Sequence, residues 1–482
     1  MDQAIDQWFR PAADTVSNFI FISFSFGEAE IPLIVAWLVA GGIFFTFYLG
    51  FINLTGFAEG VRIVFGRRKA SENERGEISA FQALSTAVSG TVGVGNIAGV
   101  AIAISLGGPG ATFWLILAGF LGMSTKFAEC TLGVRYRRHN LDGTVSGGPM
   151  YYLEQGLRDL NMPKLGKSLG LFYAFAMVIG CLGIGNMFQA NQAAAIVITV
   201  TGGESSVFAG DAWLIGLVMA IIVGLVIVGG IKGIARVTSR LVPFMALLYV
   251  FSAIVIVIMN VEKLPWAFAA IFEGAFRAEG ITGGVIGVII IGFRRAVFSN
   301  EAGLGSASIA HSAVKTAHPA TEGYVALLEP FIDTILICTL TALVIITTIY
   351  DPGLAGSGIS GIEMTTRAFE QTISWSPVPL SIAAVLFAFS TMLSWSYYGL
   401  KAYTYLASEG QWGQIGFKLV FCGFIVLGSS IQLQALIDLS DALVFVVAIP
   451  NLIGLYLLAP VIRKEIRSYR AYLMKSADGA GT

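Results

Sequence analysis

Four glycines and an amide crowd the stretch SGTVGVGNIAGVA at residues 89–101: Gly90, Gly93, Gly95 and Gly99, with Asn96 among them. Gly93 to Ala98 formally fits G-x-G-x-x-A, the fingerprint of a dinucleotide-binding turn. That chemistry needs a strand before the glycines, a helix after them and an acid about 20 positions on. Here an apolar, helix-like ISAFQALSTAVSGT precedes them, and the next acid is Glu129. The context argues against a pyrophosphate cradle. Small residues also let helices pack closely in lipid. These glycines are denser than one packing face requires, however, and Asn96 puts an amide where unpaired polar groups are costly. The reading that remains is a helix interrupted in its middle, its freed N–H groups facing an anion such as a carboxylate and its freed carbonyls facing a cation.

Other polar residues fall in apolar surroundings. In GIGNMFQANQAAAI, Phe188, Asn191 and Gln192 stand at i, i+3 and i+4 and share a helix face. They serve either as amide glue between helices or as a pocket wall. In LFAFSTMLSWSYYG, Thr391, Ser394 and Trp395 share a face, as do Ser390 and Ser394. Their hydroxyls can satisfy their own i−4 carbonyls. They can equally offer hard oxygen ligands to a small cation, with Trp395 walling a small pocket. Lys126 and Glu129 lie three apart, and Glu322, Glu329 and Asp333 recur on one face, as relays or gates, or as structural pairs near a membrane end. Arg294 and Arg295 precede a second glycine-rich stretch, SNEAGLGSAS at 299–308, and are expected to form a cytoplasmic gate with Glu301 or Glu329. The histidines, His139, His311 and His318, are expected near inner loops and solvated. Four well-separated cysteines in apolar settings, without a Cys/His cluster, predict neither a metal site nor a disulfide framework. Nothing resembles a nucleophile pair or HExxH, so no enzymatic activity is expected.

These groups must be held by helices in lipid. The chain of 482 residues is 56% hydrophobic and 12% charged, with a mean hydropathy of +0.78. A soluble domain carries about 25% charged residues, and apolar runs here recur at the roughly 20-residue length that spans a hydrocarbon core. The expected class is an all-α polytopic membrane protein with about 11 transmembrane helices. The segments are 31–53, 79–106, 110–134, 171–200, 211–230, 236–259, 281–316, 324–349, 378–406, 416–436 and 440–461. A formal net charge of −1 gives no basic field for a nucleic acid. The opening MDQAIDQWFRPAAD lacks the basic n-region of a cleavable signal peptide.

Lys and Arg alternate between connections. Arg62, Arg67, Arg68, Lys69 and Arg75 follow the first segment, and later come Arg135, Arg137 and Arg138, then Lys232, Arg236 and Arg240, then Lys315. TGGESSVFAGD at 201–211 has none. The positive-inside tendency places the N-terminus outside and the C-terminus inside. With the first segment set aside, five and five remain, opposite in direction, and each half opens with a glycine-interrupted helix. That is the pattern of inverted-topology repeats in secondary transporters, and paired interruptions point to the binding site. The expected organisation is an external segment at 1–30, an extra transmembrane helix at 31–53, five-helix repeats at 79–259 and 281–460, and a basic cytoplasmic tail at 461–482.

SGTVGVGNIAGVA, followed by GGPGATFW and FAEC, resembles the signature region of the alanine or glycine:cation symporter family. GGPMYYLEQGL (147–157), FSNEAGLGSA (298–307) and FAFSTMLSWSYYG (387–399) resemble its other blocks, so the likeness runs from about 79 to 460. It implies the five-plus-five inverted repeat of leucine-transporter-type carriers with one extra N-terminal helix. It also implies uptake of alanine (often both enantiomers) and glycine, driven by Na⁺ or sometimes H⁺, in the cytoplasmic (inner) membrane of a prokaryote. The expected partners are a small neutral amino acid and membrane lipid; the carrier is expected to work as a monomer and to need no organic cofactor. By matching position, Gly95 and Asn96 would meet the substrate carboxylate, Phe188 and Asn191 would line the pocket, and Thr391 and Trp395 would stand opposite. The Na⁺ site would combine backbone oxygens near Gly90 and Thr91 with hydroxyls of Ser390, Thr391 or Ser394. Val94 departs from the family, which often has Ser or Thr between the two glycines. A proton-coupled carrier, with Glu129 or Asp333 as the proton site, is the alternative.

Overall fold

The computed structural model describes residues 15, 17–26, 29–66, 75–140, 143–277, 284–351, 361–407 and 410–478. Residues 1–14, the basic run Arg67, Arg68 and Lys69, the start of the segment from 281 and the last four residues lie outside the described residues. What is described is almost wholly helical, with two small antiparallel hairpins: Ser23–Phe26 with Ala29–Pro32 (β1, β2) and Arg138–His139 with Val145–Ser146 (β3, β4). Among the described residues, seven helices are long and apolar enough to cross a membrane, or up to nine if each of two bent pairs is one span. This is a multi-pass membrane protein. Two expected spans fall on shorter helices, Ala212–Ile227 with 16 residues and Gly284–Asn300 with 17.

α1 (Leu33–Tyr48) bends by 62° into α2 (Ile52–Val64). α3 (Ala80–Thr91) begins at Ser79, whose hydroxyl accepts from Gln82 N while its own N–H donates to Gln82 Oε1. This reciprocal cap satisfies two of the donors a helix start leaves open. α3 ends at the glycines, one tight turn follows at Val94–Asn96, and α4 (Ala98–Gly107) leaves at 58° to it. α5 (Gly110–Arg135), α6 (Pro149–Asp159), α7 (Pro163–Val200), α8 (Ala212–Ile227), α9 (Gly230–Met259) and α10 (Leu264–Phe276) come next. α11 (Gly284–Asn300) stops where Glu301, Gly303 and Gly305 take φ of 57°, 94° and 76°, and the chain resumes as α12 (Ala307–His311). α13 (Pro319–Thr348), α14 (Ile362–Thr372), α15 (Pro377–Leu406), α16 (Gln411–Gly428) and α17 (Leu433–Asp478) complete the chain.

The core forms where α15 packs on α7 and α3, and α5 packs on α11 and α13. Trp395, Tyr398, Phe188 and Lys126 are among its fully buried side chains. α9 and α16, by contrast, expose Leu247, Phe251 and Leu419, faces that suit hydrocarbon and not water. Four helices were not expected from span length: α6, α10, α14 and α2, which runs past the expected end at 53 to Val64. α6 is amphipathic, burying Met150, Tyr152, Leu153 and Leu157. α7 begins eight residues ahead of the expected 171, and α17 runs through most of the expected tail. In that tail Ile462, Ile466 and Tyr469 are buried, and the Tyr469 hydroxyl donates to Glu59 Oε1 at 2.8 Å. A stripe at helical spacing docks the segment.

Candidate functional site

The backbone leaves helical geometry between Val92 and Ile97, at the centre of the bundle, where every residue from Ala83 to Ala103 is buried. Asn96 organises the turn. Its Oδ1 accepts from Gly93 N at 2.9 Å, and its Nδ2 donates to Asp333 O at 3.1 Å and Asp333 Oδ1 at 2.5 Å. Asp333 sits in a wide π-turn of α13, Phe331–Cys338. It also accepts from Ser299 Oγ, in the last turn of α11, at 2.9 Å. One buried carboxylate therefore ties both interruptions together. A second π-turn, Gly183–Met187 in α7, precedes Phe188 and Gln189. Gln189 Oε1 accepts from Val94 N at 3.0 Å, while its Nε2 donates to Ile184 O at 3.1 Å. Such turns insert one residue into a helix and recur at functional sites.

Around the turn the walls are apolar and close. Phe188 meets Phe298 edge-on, with ring centroids 5.1 Å apart, and a methyl on Gly95 would touch Phe298 at 3.6 Å. Thr391 faces Gly93, and its buried Oγ1 has no hydrogen-bond partner among the described residues. Trp395 packs on Gly185, where a side chain would collide with the indole, and reaches the second interruption by donating Nε1–H to Glu301 Oε1 at 2.9 Å. Gly95, Asn96, Phe188, Thr391 and Trp395 thus converge on the two breaks. Asn191 does not: its Nδ2 donates to Gly428 O at 3.2 Å and Ile431 O at 2.7 Å, at the end of α16.

Of the residues expected to hold a cation, Ser394 lies against α3, its hydroxyl 2.7 Å from Thr86 O and 2.5 Å from Ser89 Oγ. Gly90 is packed by Tyr398, whose hydroxyl is 3.0 Å from the position of a glycine-borne methyl. Thr91 turns its hydroxyl back on Val88 O at 3.3 Å. Ser390 donates to Phe387 O at 3.0 Å and lies 3.5 Å from Met245 Sδ, on the α9 side. Sequence reasoning misses Gln189, and it singles out Asp333 without its partner Asn96.

Two expectations are corrected. Arg294 and Arg295 share Asp441 of α17, Arg294 Nη2 at 2.8 Å from its Oδ2, in place of Glu301 or Glu329. Arg295 stands six positions before Glu301, about 9 Å of helical rise away, and Asp441 lies within reach instead. Phe21, just ahead of β1, lies over the Arg294 guanidinium at 4.1 Å. His311 is fully buried, not solvated, because α12 is folded inward against α5. Its two nitrogens lie 2.6 Å from Glu322 Oε2 and 3.0 Å from Glu329 Oε1.

A lipid-embedded helix bundle in which two interrupted helices meet at a buried polar site has the architecture of a secondary transporter. The chain belongs to the sodium:alanine symporter family, whose profile matches residues 17–480. It is 40% identical over 457 residues to the sodium/alanine symporter AgcS of Methanococcus maripaludis, covering 93% of this chain and 96% of that one. With the amino-acid carrier protein AlsT of Bacillus subtilis it shares 34% identity over 443 residues, 92% of this chain and 90% of that one. Among solved structures, MhsT in complex with L-phenylalanine aligns with a TM-score of 0.58 at 17% identity, over 82% of this chain and all of that one. That last likeness is one of fold, the leucine-transporter type.

Proposed function

We propose that the protein is a Na⁺-coupled symporter that brings small neutral amino acids, alanine or glycine, into the cytoplasm by alternating access. The observation that carries this reading is the interruption at Gly93–Asn96, buried, floored by Gly95 and walled by Phe188, Phe298 and Trp395. The N-terminal end of α4 offers N–H groups and a positive dipole to the substrate carboxylate. The carbonyls left open where α11 ends suit its ammonium. Thr391 supplies a buried hydroxyl with no protein partner among the described residues, and such a group in a native site calls for a ligand. Close aromatic walls leave room for hydrogen or methyl as side chain and exclude bulk.

Na⁺ in this reading sits between the last carbonyls of α3, at Gly90 and Thr91, and the hydroxyls of Thr391 and Ser394. One Na⁺ adds about 2.3 kcal/mol per 100 mV to the uptake of a zwitterion with no net charge. Repeats at 79–259 and 281–460 rock against each other about the site, and the Lys and Arg pattern sets the N-terminus outside. A cavity of about 280 Å³ lined by Glu77, Lys232, Tyr397 and Lys401 lies a turn beyond Ser394 and serves as the cytoplasmic route. The names of AgcS and AlsT support an amino-acid substrate.

Purified protein in liposomes, assayed for L-alanine, D-alanine and glycine uptake with and without a Na⁺ gradient, tests the proposal. Asn96→Ala and Thr391→Ala should each abolish binding. Near-normal alanine affinity in both would refute the site, and uptake indifferent to Na⁺ would refute the coupling ion.

A further inference from the structure

One face of α9 is exposed along the whole helix, and its side chains change character partway. Lys232, Arg236 and Arg240 stand at successive turns, and Phe244, Leu247 and Phe251 continue the same face. Spacings of three and four residues keep all six on one side of a helix. The opposite side is buried and carries Thr238, Met245 and Tyr249. Thr238 Oγ1 lies 3.1 Å from Thr86 Oγ1 of α3, and Met245 Sδ lies 3.5 Å from Ser390 Oγ of α15.

The change of character falls where a membrane border would. Residues 241–259 hold no charged side chain. They rise about 28 Å at 1.5 Å per residue, close to the roughly 30 Å of a hydrocarbon core. Arg240 then stands at the border, with Arg236 and Lys232 about 6 and 12 Å farther out, at headgroup level and its outer edge. A groove of about 400 Å³ crosses that border, lined by Arg236, Val237 and Arg240 and, toward the apolar end, by Leu241 and Phe244. The three cations have no counter-charge in the bundle: their heads make no ion pair or hydrogen bond among the described residues. Glu77 shares a cavity with Lys232, yet its Oε1 accepts from Val145 N at 2.8 Å. No acid stands in the first turn of α9, where the positive end of the helix dipole disfavours cations. Like charges four apart on a helix also repel one another. These costs share one sign and one place, and an anion from outside the chain relieves all of them.

We propose that α9 holds an anionic phospholipid, its phosphate at Arg236 and Arg240 with Lys232 beside it, and an acyl chain along Leu241 and Phe244. A free anion would answer the charges and leave the apolar end of the groove uncovered. A phospholipid brings phosphate and hydrocarbon in the order the face presents them, and basic clusters at a membrane border recognise such headgroups. Arginine suits the phosphate because its planar fork matches two oxygens at once. Since the inner face of α9 packs on α3 and α15, the lipid braces α9 against two helices of the substrate site. In the orientation proposed above, the lipid belongs to the cytoplasmic leaflet. The site itself requires only a bundle in lipid, so it stands or falls apart from the symport reading.

The full chain, delipidated in detergent, is titrated with phosphatidylglycerol that carries a fluorescent label on one acyl chain, and anisotropy gives the affinity. Unlabelled phosphatidylglycerol, phosphatidylcholine with the same chains, and inorganic phosphate then compete for the site. Phosphatidylglycerol should displace the probe about ten-fold better than phosphatidylcholine or more, and inorganic phosphate should not displace it. A variant with Lys232→Gln, Arg236→Gln and Arg240→Gln together should bind the probe on the order of 100-fold more weakly, about five-fold for each cation lost. A control removes three exposed cations of α17, by Lys464→Gln, Arg467→Gln and Arg470→Gln, and should bind like wild type. Phosphatidylglycerol should also raise the melting temperature of wild type and control, and leave that of the α9 variant unmoved. Equal competition by the two lipids, or a wild-type melt that phosphatidylglycerol does not shift, overturns the proposal. Undiminished affinity in the α9 variant, or an equal loss in the control, overturns it as well. Displacement by inorganic phosphate overturns the lipid as occupant. The comparison of competitors uses wild-type protein alone, so it decides even where a variant fails to fold.

Discussion

Replacing Gly93 by alanine tests the interruption without removing any of its polar groups. Gly93 has φ of −130° and ψ of −162°, extended backbone that alanine adopts freely, so the effect comes from the added methyl alone. That methyl would lie 2.6 Å from Thr391 Oγ1 and 3.0 Å from Gln189 Oε1, where ordinary contact begins near 3.4 Å. Neither neighbour can swing away at little cost, since Thr391 is buried and Gln189 is held by Val94 N and Ile184 O. Overpacking of this kind costs about 1–3 kcal/mol, or about 5- to 150-fold in a binding constant. Gly99 supplies the control: it lies in α4, and nothing stands within 4 Å of the position its methyl would take. Gly99→Ala should gain about 0.5–1 kcal/mol of helix stability. Alanine uptake in liposomes as a function of concentration, with thermal melting in detergent, separates the two. Gly93→Ala should lose affinity within the stated range while Gly99→Ala transports like wild type and melts no lower. Wild-type transport by Gly93→Ala, or equal losses in both, would refute the placement of the substrate at this turn.

Trp395→Phe removes the donor to Glu301 and leaves a buried carboxylate oxygen short of a partner, so alanine affinity should fall by about 1.5–3 kcal/mol; an unchanged affinity would show that the indole N–H is dispensable. Asp441→Asn strips the carboxylate from two guanidiniums, one of them 5% exposed, and should cost about 3–5 kcal/mol. A melting curve superimposable on wild type would contradict the ion pair. Ser394→Ala should raise the Na⁺ concentration for half-maximal uptake by about ten-fold, the equivalent of about 1.4 kcal/mol, with alanine affinity at saturating Na⁺ little changed. An unaltered Na⁺ dependence would remove Ser394 from the cation site.

The interruption in α3–α4 was legible because dense glycines beside a lone amide at membrane depth suit neither a single packing face nor a nucleotide turn. The walls were legible less well, and the reason is geometric. Successive helical residues are about 100° apart, so a face drawn through Phe188, Asn191 and Gln192 excludes Gln189. In the structure Phe188 and Gln189 both pack at the interruption, and Asn191 faces the end of α16. The π-turn at Gly183–Met187 sets that rotation, and no residue type in the sequence announces it. Asp333 was visible as an intramembrane acid, but its pairing with Asn96 spans 237 positions and depends on how two distant helices pack. Arg294 and Arg295 were misassigned for the same reason: proximity along the chain favoured Glu301, and the fold supplies Asp441. α6 and α14 were overlooked because a search for spans passes over short amphipathic helices, although Pro149 at the first turn of α6 is a start signal.

The charges inside the bundle bear on coupling independently of any likeness to known carriers. Among the described residues, Glu129, Glu301, Glu322, Glu329, Asp333 and Asp441 are buried, against Lys126, Arg295 and His311. Asp441 is matched by the arginines, Glu329 by Lys126 and Glu322 by His311. Glu129, Glu301 and Asp333 remain, and the hydrogen bonds they accept come from amide, hydroxyl, indole and backbone donors. Their one nearby cation among the described residues, Lys126, is paired directly with Glu329 and acts on all three only at a distance, so their desolvation cost is compensated in part. Asp333 stands at the first interruption, Glu301 and Glu129 at the second. A cation arriving at either break, whether Na⁺, a proton or the ammonium of an amino acid, offsets a cost already built into the fold. In the proposed symport, that cost is what would let an ion gradient act on the two interrupted helices.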